Sequence, residues 1–329
     1  MIETDVLITG AGPAGLFACY YAGLRGLRVT LVDSLPHLGG QTAALYPEKY
    51  IYDIAGFPAI RGRELIARLV EQARTADPRI LLNHEAATLA DLPDGSLILT
   101  TATGTRVHAG AVLVTAGIGR FTPRPLPALN GFTGRGVEYV VGAPEQYRDE
   151  HVIVVGGGDS AVDCANSLVA QARSVTVVHR RSRFRAHESA LTQLSATSAR
   201  MIVNSEIAAV HGNSAVQAVT VRDCLNDTTE QLDATILIPA LGHIAALGPL
   251  TRWGLRMTGK QIEVDTTMAT SRSRVFAAGD IATYPGKVQL IAVGFGEAAT
   301  AVNNLTVILR PAQALFPGHS TELSLPPAA

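Results

Sequence analysis

The chain opens on a pattern of apolar positions that predicts a strand, a helix and a second strand. Residues 5–9 form a short, mostly apolar run, which is typical of a strand buried inside a parallel sheet. Residues 16–22 have the composition of a helix, which we expect to end among the residues between 23 and 26. Residues 28–32 predict a second buried strand. Such a strand–helix–strand unit is the building block of a parallel α/β sheet.

The turn between the first strand and the helix carries the motif Gly10-Ala11-Gly12-Pro13-Ala14-Gly15. In such a motif Gly10 permits a tight turn, Gly12 lets a pyrophosphate approach the backbone, and Gly15 permits close packing of helix on strand. The N–H groups at the helix start attract phosphate. Asp33 ends the second strand, 18 residues after Gly15, where a carboxylate can accept hydrogen bonds from ribose hydroxyls. Together these features predict a dinucleotide site rather than a merely structural turn.

The same pattern returns in the second half of the chain. Residues 151–155 and 174–178 predict strands, and the motif positions between them are Gly156, Gly158 and Ala161. Each motif position lies 146 residues after its counterpart in the first unit. A repeat of this kind indicates a duplicated nucleotide-binding architecture.

The counterpart of Asp33 in the second unit is His179, which begins a basic run. His179-Arg180-Arg181 is followed by Arg183 and Arg185. An acid would repel a 2′-phosphate here, whereas guanidinium groups bind phosphate oxygens in a bidentate manner. A solvated basic loop is the plain alternative. The position at the end of the second strand favours a site that prefers NADP over NAD.

The remaining pattern supplies further elements. Residues 63–75 have the period of an amphipathic helix. Residues 274–280 predict a strand that ends in Gly279-Asp280, where a carboxylate would lie beside a polyol chain and the glycine would let it approach the backbone. Residues 288–309 predict a long helix that is broken early by the glycines at 294 and 296, and we expect the tail beyond it to be irregular.

Composition narrows the class of protein. A length of 329 residues predicts two domains, and a formal net charge of -1 excludes a globally basic nucleic-acid binder. We find no run of 18 or more apolar residues and no signal-peptide pattern, so we expect a cytoplasmic protein without a membrane segment. The three cysteines are far apart and the nine histidines show no ligand spacing, which predicts neither a disulfide framework nor a metal site.

Assembled along the chain, these residues resemble the flavoprotein reductases with two dinucleotide-binding domains, on the plan of bacterial thioredoxin reductase. That family keeps a redox Cys-x-x-Cys just before the second glycine motif, because its flavin passes electrons to a disulfide. The corresponding residues 139–144 contain no cysteine, and no C-x-x-C occurs anywhere in the sequence. A dithiol relay is therefore absent.

The sequence is more similar to the thioredoxin-reductase-like class of ferredoxin–NADP reductases, and the similarity covers nearly the whole chain. The segments that resemble this class are residues 38–41, 46–53, 55–58, 156–161, 184–188, 278–280, 294–298 and 319–321. The departures, at Cys164, Asn166 and residues 239–243, fall on no predicted redox position.

This resemblance implies an α/β fold of two Rossmann-like dinucleotide-binding domains, with the NADPH domain inserted into a discontinuous FAD domain. We expect the FAD domain at residues 1–118 and 242–329, and the NADPH domain at residues 119–241. The residues that would line the FAD site, besides the first glycine motif, are Asp33, Gln41, Tyr46, Ala86, Phe121, Gly279, Asp280 and Thr321. Tyr50 and His319 would flank the flavin ring, and Arg180, Arg181 and Arg185 would hold the 2′-phosphate of NADPH.

The implied reaction is hydride transfer from NADPH to FAD, followed by single-electron transfer to ferredoxin or a flavodoxin-type carrier. The class also implies a homodimer, and nothing in the sequence suggests nucleic acid or membrane as a partner. Two alternatives stay open at this point: an NADPH-dependent reductase of small molecules, and a non-catalytic redox sensor that binds nucleotide.

Overall fold

The computed structural model describes residues 1–129, 131–319 and 321. The chain forms two compact units, one discontinuous and one inserted into it. The discontinuous unit contains residues 1–120 and the chain from residue 245 onward, and the inserted unit contains residues 121–244. The chain crosses from one unit to the other twice. Each crossing falls within a strand, and these two strands, Arg120–Pro123 and His243–Ala246, pair with each other.

The helices and strands are numbered in chain order. Up to the first crossing they are β1 (Ile2–Thr9), α1 (Pro13–Leu24), β2 (Val29–Val32), α2 (Gly40–Leu45), β3 (Tyr50–Ile51), β4 (Ile60–Arg61), α3 (Gly62–Arg74), β5 (Arg79–Leu81), β6 (Ala86–Asp91), β7 (Leu97–Thr101), β8 (Arg106–Val114) and β9 (Arg120–Pro123). The inserted unit adds β10 (His151–Val155), α4 (Asp159–Leu168), β11 (Ser174–Val178), α5 (Glu188–Ser195), β12 (Arg200–Ile202), β13 (Ser205–His211), β14 (Ala218–Asp223), β15 (Thr229–Asp233) and β16 (Ile236–Pro239). The chain then forms β17 (His243–Ala246), β18 (Met257–Thr258), β19 (Gln261–Glu263), β20 (Val275–Ala277), β21 (Ala282–Thr283) and α6 (Ile291–Leu309).

The central sheet of the discontinuous unit has the order β5-β2-β1-β8-β7-β6, and β20 also pairs with β8. Strand β1 runs parallel to β2 and β8, with Thr9 opposite Val32 and Val114. The apolar strand residues are buried on both faces. Helices α1, α3 and α6 pack on one face, and Leu247, Leu250, Trp253 and Ile262 pack on the other. Since the carboxyl ends of parallel strands meet at one edge, the segments after β1, β2, β8 and β20 gather there.

The inserted unit repeats this design on a smaller scale. Its parallel sheet has the order β12-β11-β10-β16, and the antiparallel sheet β13-β14-β15 belongs to the same unit. Strand β10 lies between β11 and β16, with Val155 opposite Val178 and Pro239. Helix α4 buries Ala161, Val162, Ala165 and Leu168 against this sheet. The predicted α/β fold of two Rossmann-like units, one inserted into the other, is confirmed.

Helix α6 corrects the prediction that glycines at 294 and 296 break it. The helix is continuous from Ile291 to Leu309. A Cβ at Gly294 would lie 3.3 Å from the Cα of Gly279 and 3.5 Å from the Cβ of Ala14. Gly294 therefore serves close packing of three segments, and tertiary contact outweighs its low helix propensity.

By length and composition alone α6 is apolar enough to cross a membrane. The sequence pattern does not predict this, because α6 contains no continuous run of 18 apolar residues. A buried core helix passes the same test. In this structure α6 packs against α1, and its residues Ala298, Ala301, Val302 and Leu305 are fully buried. The buried face of α6 thus belongs to the core of the discontinuous unit.

Candidate dinucleotide-binding sites

The first glycine turn lies where backbone segments approach too closely for side chains. Gly10 has φ +111°, and a Cβ on it would lie 2.4 Å from the carbonyl oxygen of Thr115. A Cβ on Gly15 would lie 1.9 Å from the carbonyl oxygen of Gly10. Thr115 closes the contact, because its Oγ1 donates a 2.7 Å hydrogen bond to that same Gly10 oxygen. These two glycines are therefore required by packing.

Gly12 has a different environment. It is the N-cap of α1, with Pro13 at the first helical position and no capping side chain from the described residues. A Cβ on Gly12 would meet only the Cα of Gly40, at 4.0 Å, and Gly40 is the first residue of α2. The starts of α1 and α2 thus approach each other with no side chain between Gly12 and Gly40. The free backbone N–H groups of a helix start suit a pyrophosphate.

Asp33 is buried and holds the glycine turn itself. Its Oδ2 accepts a 2.6 Å hydrogen bond from the N–H of Ala11, and its Oδ1 accepts a 2.8 Å bond from the N–H of Leu35. Burial raises the pKa of the Asp33 carboxyl, although both of these hydrogen bonds oppose the shift. Asp33 therefore joins the end of β2 to the turn after β1.

Gln41 and Tyr46 are also near this edge of the sheet. The side-chain nitrogen of Gln41 lies against Gly117, since a Cβ there would be 2.6 Å from it. The hydroxyl of Tyr46 is 3.2 Å from Oγ1 of Thr42. Burial raises the pKa of the Tyr46 phenol, with a smaller contribution from the negative charge of Asp280. The structure thus brings Gln41, Tyr46 and Asp280 to the same region as the glycine turn.

Gly279 and Asp280 follow β20 and reach this region at the same edge of the sheet. Gly279 has φ +79°, and a Cβ on it would lie 3.1 Å from the Cβ of Ala14 in the glycine turn. Burial raises the pKa of the Asp280 carboxyl, and the positive charge of Lys287 opposes that shift. The contact between Gly279 and Ala14 joins the last strand of the sheet to the first turn.

Sequence reasoning missed the side chains that support Gly279. The N–H of Gly279 donates to Glu297 Oε2 at 2.8 Å, and Lys287 Nζ donates to the Gly279 carbonyl oxygen at 3.1 Å. Lys287 also pairs with Glu297, and the hydroxyl of Tyr284 donates to Glu297 Oε1 at 2.7 Å. An acid at a position of α6 whose helical neighbours are apolar was the available signal, since such an acid needs a buried partner.

Five predicted site residues are not drawn into this cluster by the contacts that the structure gives them. Ala86 begins β6 and packs in the core, and Phe121 belongs to the inserted unit, where its ring meets His243 edge-on at 5.9 Å. Tyr50 is 51% exposed, and the guanidinium of Arg61 lies 5.2 Å from its ring centre. The rings of His319 and Phe316 meet at 5.2 Å, and Thr321 is exposed. Their predicted contact with FAD stays a prediction.

The second glycine turn repeats the first with a small change. A Cβ on Gly156 would lie 2.4 Å from the carbonyl oxygen of Ala240, so this glycine has the role of Gly10. Gly158 is the N-cap of α4, and nothing lies within 4 Å of a Cβ placed on it. Ala161 stands where the first unit has Gly15, and its methyl group is accommodated. The start of α4 is therefore open in the manner that a pyrophosphate requires.

His179 occupies the place of Asp33 and packs on the turn. A Cβ on Gly157 would lie 2.3 Å from the His179 ring, which also stacks on Phe184 at 5.2 Å. The Nε2 atom of His179 is 3.1 Å from the carbonyl oxygen of Arg183. Burial lowers the pKa of His179, and the positive charges of Arg181 and Arg180 add to the shift. The ring thus supports the basic loop that follows it.

The basic loop contacts the second turn through the backbone of Arg185. The N–H of Arg185 donates a 2.6 Å hydrogen bond to the carbonyl oxygen of Gly157, which attaches the loop directly to the glycine motif. Arg180, Arg181, Arg183 and Arg185 are all exposed. A 2′-phosphate at this position would be near several guanidinium groups. No group of three His, Cys, Asp or Glu residues suited to a metal ion occurs in the described chain.

Comparison with known proteins gives a consistent picture. Residues 4–303 match the family model described as pyridine nucleotide-disulphide oxidoreductase. A ferredoxin–NADP reductase from Salinispora arenicola is 54% identical over 324 residues, with 98% of this chain and 99% of that protein covered. The protein of the same name from Thermus thermophilus is 46% identical over 335 residues, with 98% of each chain covered.

Solved structures support the fold. The thioredoxin reductase of T. acidophilum matches with a TM-score of 0.73 at 24% identity, with 94% of this chain and 99% of that chain covered. The bacillithiol disulfide reductase Bdr from Staphylococcus aureus matches with a TM-score of 0.71 at 16% identity, with 95% of this chain and 100% of that chain covered. At these identities the likeness concerns the fold alone.

Replacing Arg180 and Arg181 by alanine should weaken the use of NADPH far more than that of NADH, because only NADPH carries a 2′-phosphate. Each charge-assisted contact contributes about 1.5–3 kcal/mol, so the KM for NADPH should rise at least about tenfold. The measurement is the KM for both nucleotides. Arg200→Ala is the matched control, since Arg200 pairs with Glu230 elsewhere in the same unit. Equal increases for NADPH and NADH would show that the basic run is only a solvated surface.

Proposed function

The chain belongs to the pyridine nucleotide-disulphide oxidoreductase family and, within it, to the ferredoxin–NADP reductases of the thioredoxin-reductase-like class, and from this premise we propose its reaction. The protein is an FAD-dependent oxidoreductase that transfers electrons between NADPH and a one-electron carrier protein. One observation carries the proposal: a single chain holds two glycine turns of the same design, one closed by Asp33 and the other bordered by Arg180 and Arg181.

We assign FAD to the discontinuous unit. When bound, FAD supplies the group that accepts a hydride and releases its electrons singly, a chemistry that side chains lack. The converging starts of α1 and α2 fit the pyrophosphate, and Asp33 fits the adenosine ribose. Asp280 is placed to accept hydrogen bonds from the polyol chain, with Gln41 and Tyr46 nearby. In this assignment the protein would bind and orient FAD and keep water away from it.

We assign NADPH to the inserted unit. The start of α4 at Gly158 would hold the pyrophosphate, and the basic loop would hold the 2′-phosphate through Arg180, Arg181 and Arg185. His179 supports the loop from beneath by packing on Gly157 and by its contact with the Arg183 carbonyl. The replacement of an acid by His179 removes the charge that would repel the phosphate.

Thiol chemistry has no place in this reaction. The sequence contains no C-x-x-C, and Cys19 and Cys164 are buried while Cys224 is exposed. Burial raises the pKa of the Cys19 thiol to about 12, which keeps it protonated and unreactive. Electrons therefore leave by direct transfer to a carrier rather than through a protein disulfide.

We further propose that the carrier is ferredoxin or a flavodoxin-type protein, that the enzyme works as a homodimer and that it is cytoplasmic. The names of the relatives at about half identity support the ferredoxin partner. The homodimer follows from the resemblance to the class. The cytoplasmic location stays a prediction.

The test of the proposed reaction is NADPH-driven reduction of cytochrome c by the purified protein, with and without added ferredoxin. We expect turnover that depends strongly on ferredoxin and that is faster with NADPH than with NADH. A small-molecule dye serves as the parallel acceptor. Reduction of the dye without any stimulation by ferredoxin or flavodoxin would favour a small-molecule reductase, and binding of NADPH without turnover toward any acceptor would favour a sensor.

The C-terminal segment is attached to the discontinuous unit by one buried arginine. Arg25 is only 6% exposed, and its guanidinium donates to the carbonyl oxygens of Ala314 at 2.7 Å and Leu315 at 3.0 Å. It also donates to the side chain of Asn303. Beyond Leu315 the side chain of Phe316 is 64% exposed. The hydrogen bonds of Arg25 therefore hold the backbone as far as Leu315, and His319 lies beyond the segment that they hold.

We propose that this terminal part is a gate over the flavin, with His319 on one face of the ring and Tyr50 on the other. A chain that ends at Leu315 retains both carbonyl acceptors of Arg25 and should keep its melting temperature and FAD content. It should show an altered flavin absorption band, a changed rate of hydride transfer and faster oxidation by oxygen. Stopped-flow absorbance and a melting curve measure these properties.

A chain that ends at Ala312 is the matched control. It removes the two carbonyl acceptors of the Arg25 guanidinium and leaves only Asn303 as an acceptor in the described chain, at a cost of about 1–3 kcal/mol, so its melting temperature should fall. If the chain that ends at Leu315 matches the full-length protein in spectrum, single-turnover rate and oxygen reactivity, the gate does not exist.

A further inference from the structure

The backbone N–H and C=O of Gly279 both form hydrogen bonds with the members of one buried ion pair. Glu297 Oε2 accepts the Gly279 N–H at 2.8 Å, and Lys287 Nζ donates to the Gly279 carbonyl oxygen at 3.1 Å. The carboxylate and the ammonium also pair with each other. The side chain of Glu297 is 4% exposed and that of Lys287 is 5% exposed. The glycine is thus bracketed by two opposite charges that water scarcely reaches.

Stability alone gives little reason for this pair. Removing two charges from water costs several kcal/mol for each ion, and apolar side chains of similar volume commonly stabilise a fold as well or better. The pair is satisfied here by further hydrogen bonds. Tyr284 donates to Glu297 Oε1, and burial raises the pKa of Tyr284 to about 12, so the phenol stays a donor. The ion pair instead fixes the position of the Gly279 backbone.

The geometry concerns the backbone at Gly279, which has the left-handed conformation that favours glycine. Gly279 has φ +79°, and it lies between Ala14 and Gly294 with no space for a longer side chain. The next residue is Asp280, whose carbonyl oxygen accepts a 3.0 Å hydrogen bond from Gln261 Nε2. The backbone on both sides of the Asp280 Cα is therefore restrained by side chains from β19, α6 and the loop that precedes α6.

The Asp280 carboxylate, in contrast, accepts no hydrogen bond from the part of the chain that the structure describes. It is partly buried and lies near the glycine turn through the contact of Gly279 with Ala14. A carboxylate held in this way has free acceptor oxygens for a ligand hydroxyl. Its position depends on the turn that precedes it, because its side chain has no hydrogen-bond partner among the described residues. The charges of Lys287 and Glu297 act on it from nearby.

We propose that Lys287 and Glu297 are positioning residues for cofactor binding, which hold the Gly279 peptide so that Asp280 presents its carboxylate to the polyol chain of FAD. This inference rests on the proposed function, in which Asp280 contacts FAD. The pair acts through Asp280 and touches no reacting atom. Its removal should therefore weaken FAD binding while the folded apoprotein survives.

The experiment measures the Kd of FAD for the apoprotein by fluorescence quenching, together with the melting temperature of the apoprotein. In K287M/E297Q both charges are removed together, which avoids an unpaired buried ion. We expect the Kd to rise at least about tenfold and the apoprotein melting temperature to stay within a few degrees. In R256M/E263Q, the matched control, an exposed ion pair of the same unit is removed, and the Kd should not change.

Y284F keeps the ring and removes a single donor to Glu297, so it tests the same contact with minimal disturbance of folding. We expect its Kd to rise about two- to fivefold, since one hydrogen bond to a charged group is lost but both ions remain. An unchanged Kd in both Y284F and K287M/E297Q would overturn the inference and leave the proposed function intact.

A double-mutant cycle with D280N separates a positioning role from a general structural one. If the pair acts through Asp280, the loss caused by K287M/E297Q should shrink to less than about threefold once D280N is present. Losses that add fully in the triple variant would overturn the inference, because the pair would then act without Asp280. Failure of the unmodified apoprotein to bind FAD at all would instead refute the proposed function.

Discussion

The close approach of three backbone segments is the constraint on which the rest of the structure depends. Gly10, Gly15 and Thr115 meet where an added Cβ would lie 1.9–2.4 Å from a carbonyl oxygen. This contact lets α1 start directly after β1, with Gly12 as its N-cap. Gly40 approaches Gly12, and Gly279 approaches Ala14, around the same turn. The candidate FAD site lies where these contacts bring the glycine turn next to Asp33 and Asp280.

The two units use one geometry with different chemistry. In the first, the carboxylate of Asp33 accepts a hydrogen bond from the N–H of Ala11. In the second, the ring of His179 packs against Gly157, which is the counterpart of Ala11. Both residues tie the end of the second strand to the turn after the first. One places an acid at the end of the second strand, and the other is followed there by a run of arginines.

Local signals made the glycine turns, their flanking strands and the basic run predictable from sequence, because each depends on residues close together in the chain. Contacts between distant residues were not predictable. The sequence pattern predicts that Gly294 breaks α6. In the folded chain this position packs closely against Gly279 and Ala14, which favours a glycine there. The pairing of Lys287 with Glu297 and the contacts of Arg25 with Ala314 and Leu315 likewise need the folded chain. The resemblance to a family supplied roles for Tyr50 and His319 that local patterns could not.

The central claim is that the glycine-cradled surface of the discontinuous unit binds FAD without a covalent link. The most direct measurement is the absorption spectrum of the purified protein, with the nucleotide content determined after denaturation. We expect a yellow protein that releases one FAD per chain and, once stripped, takes up FAD again. A colourless protein whose spectrum and melting temperature do not change on addition of FAD would contradict the account.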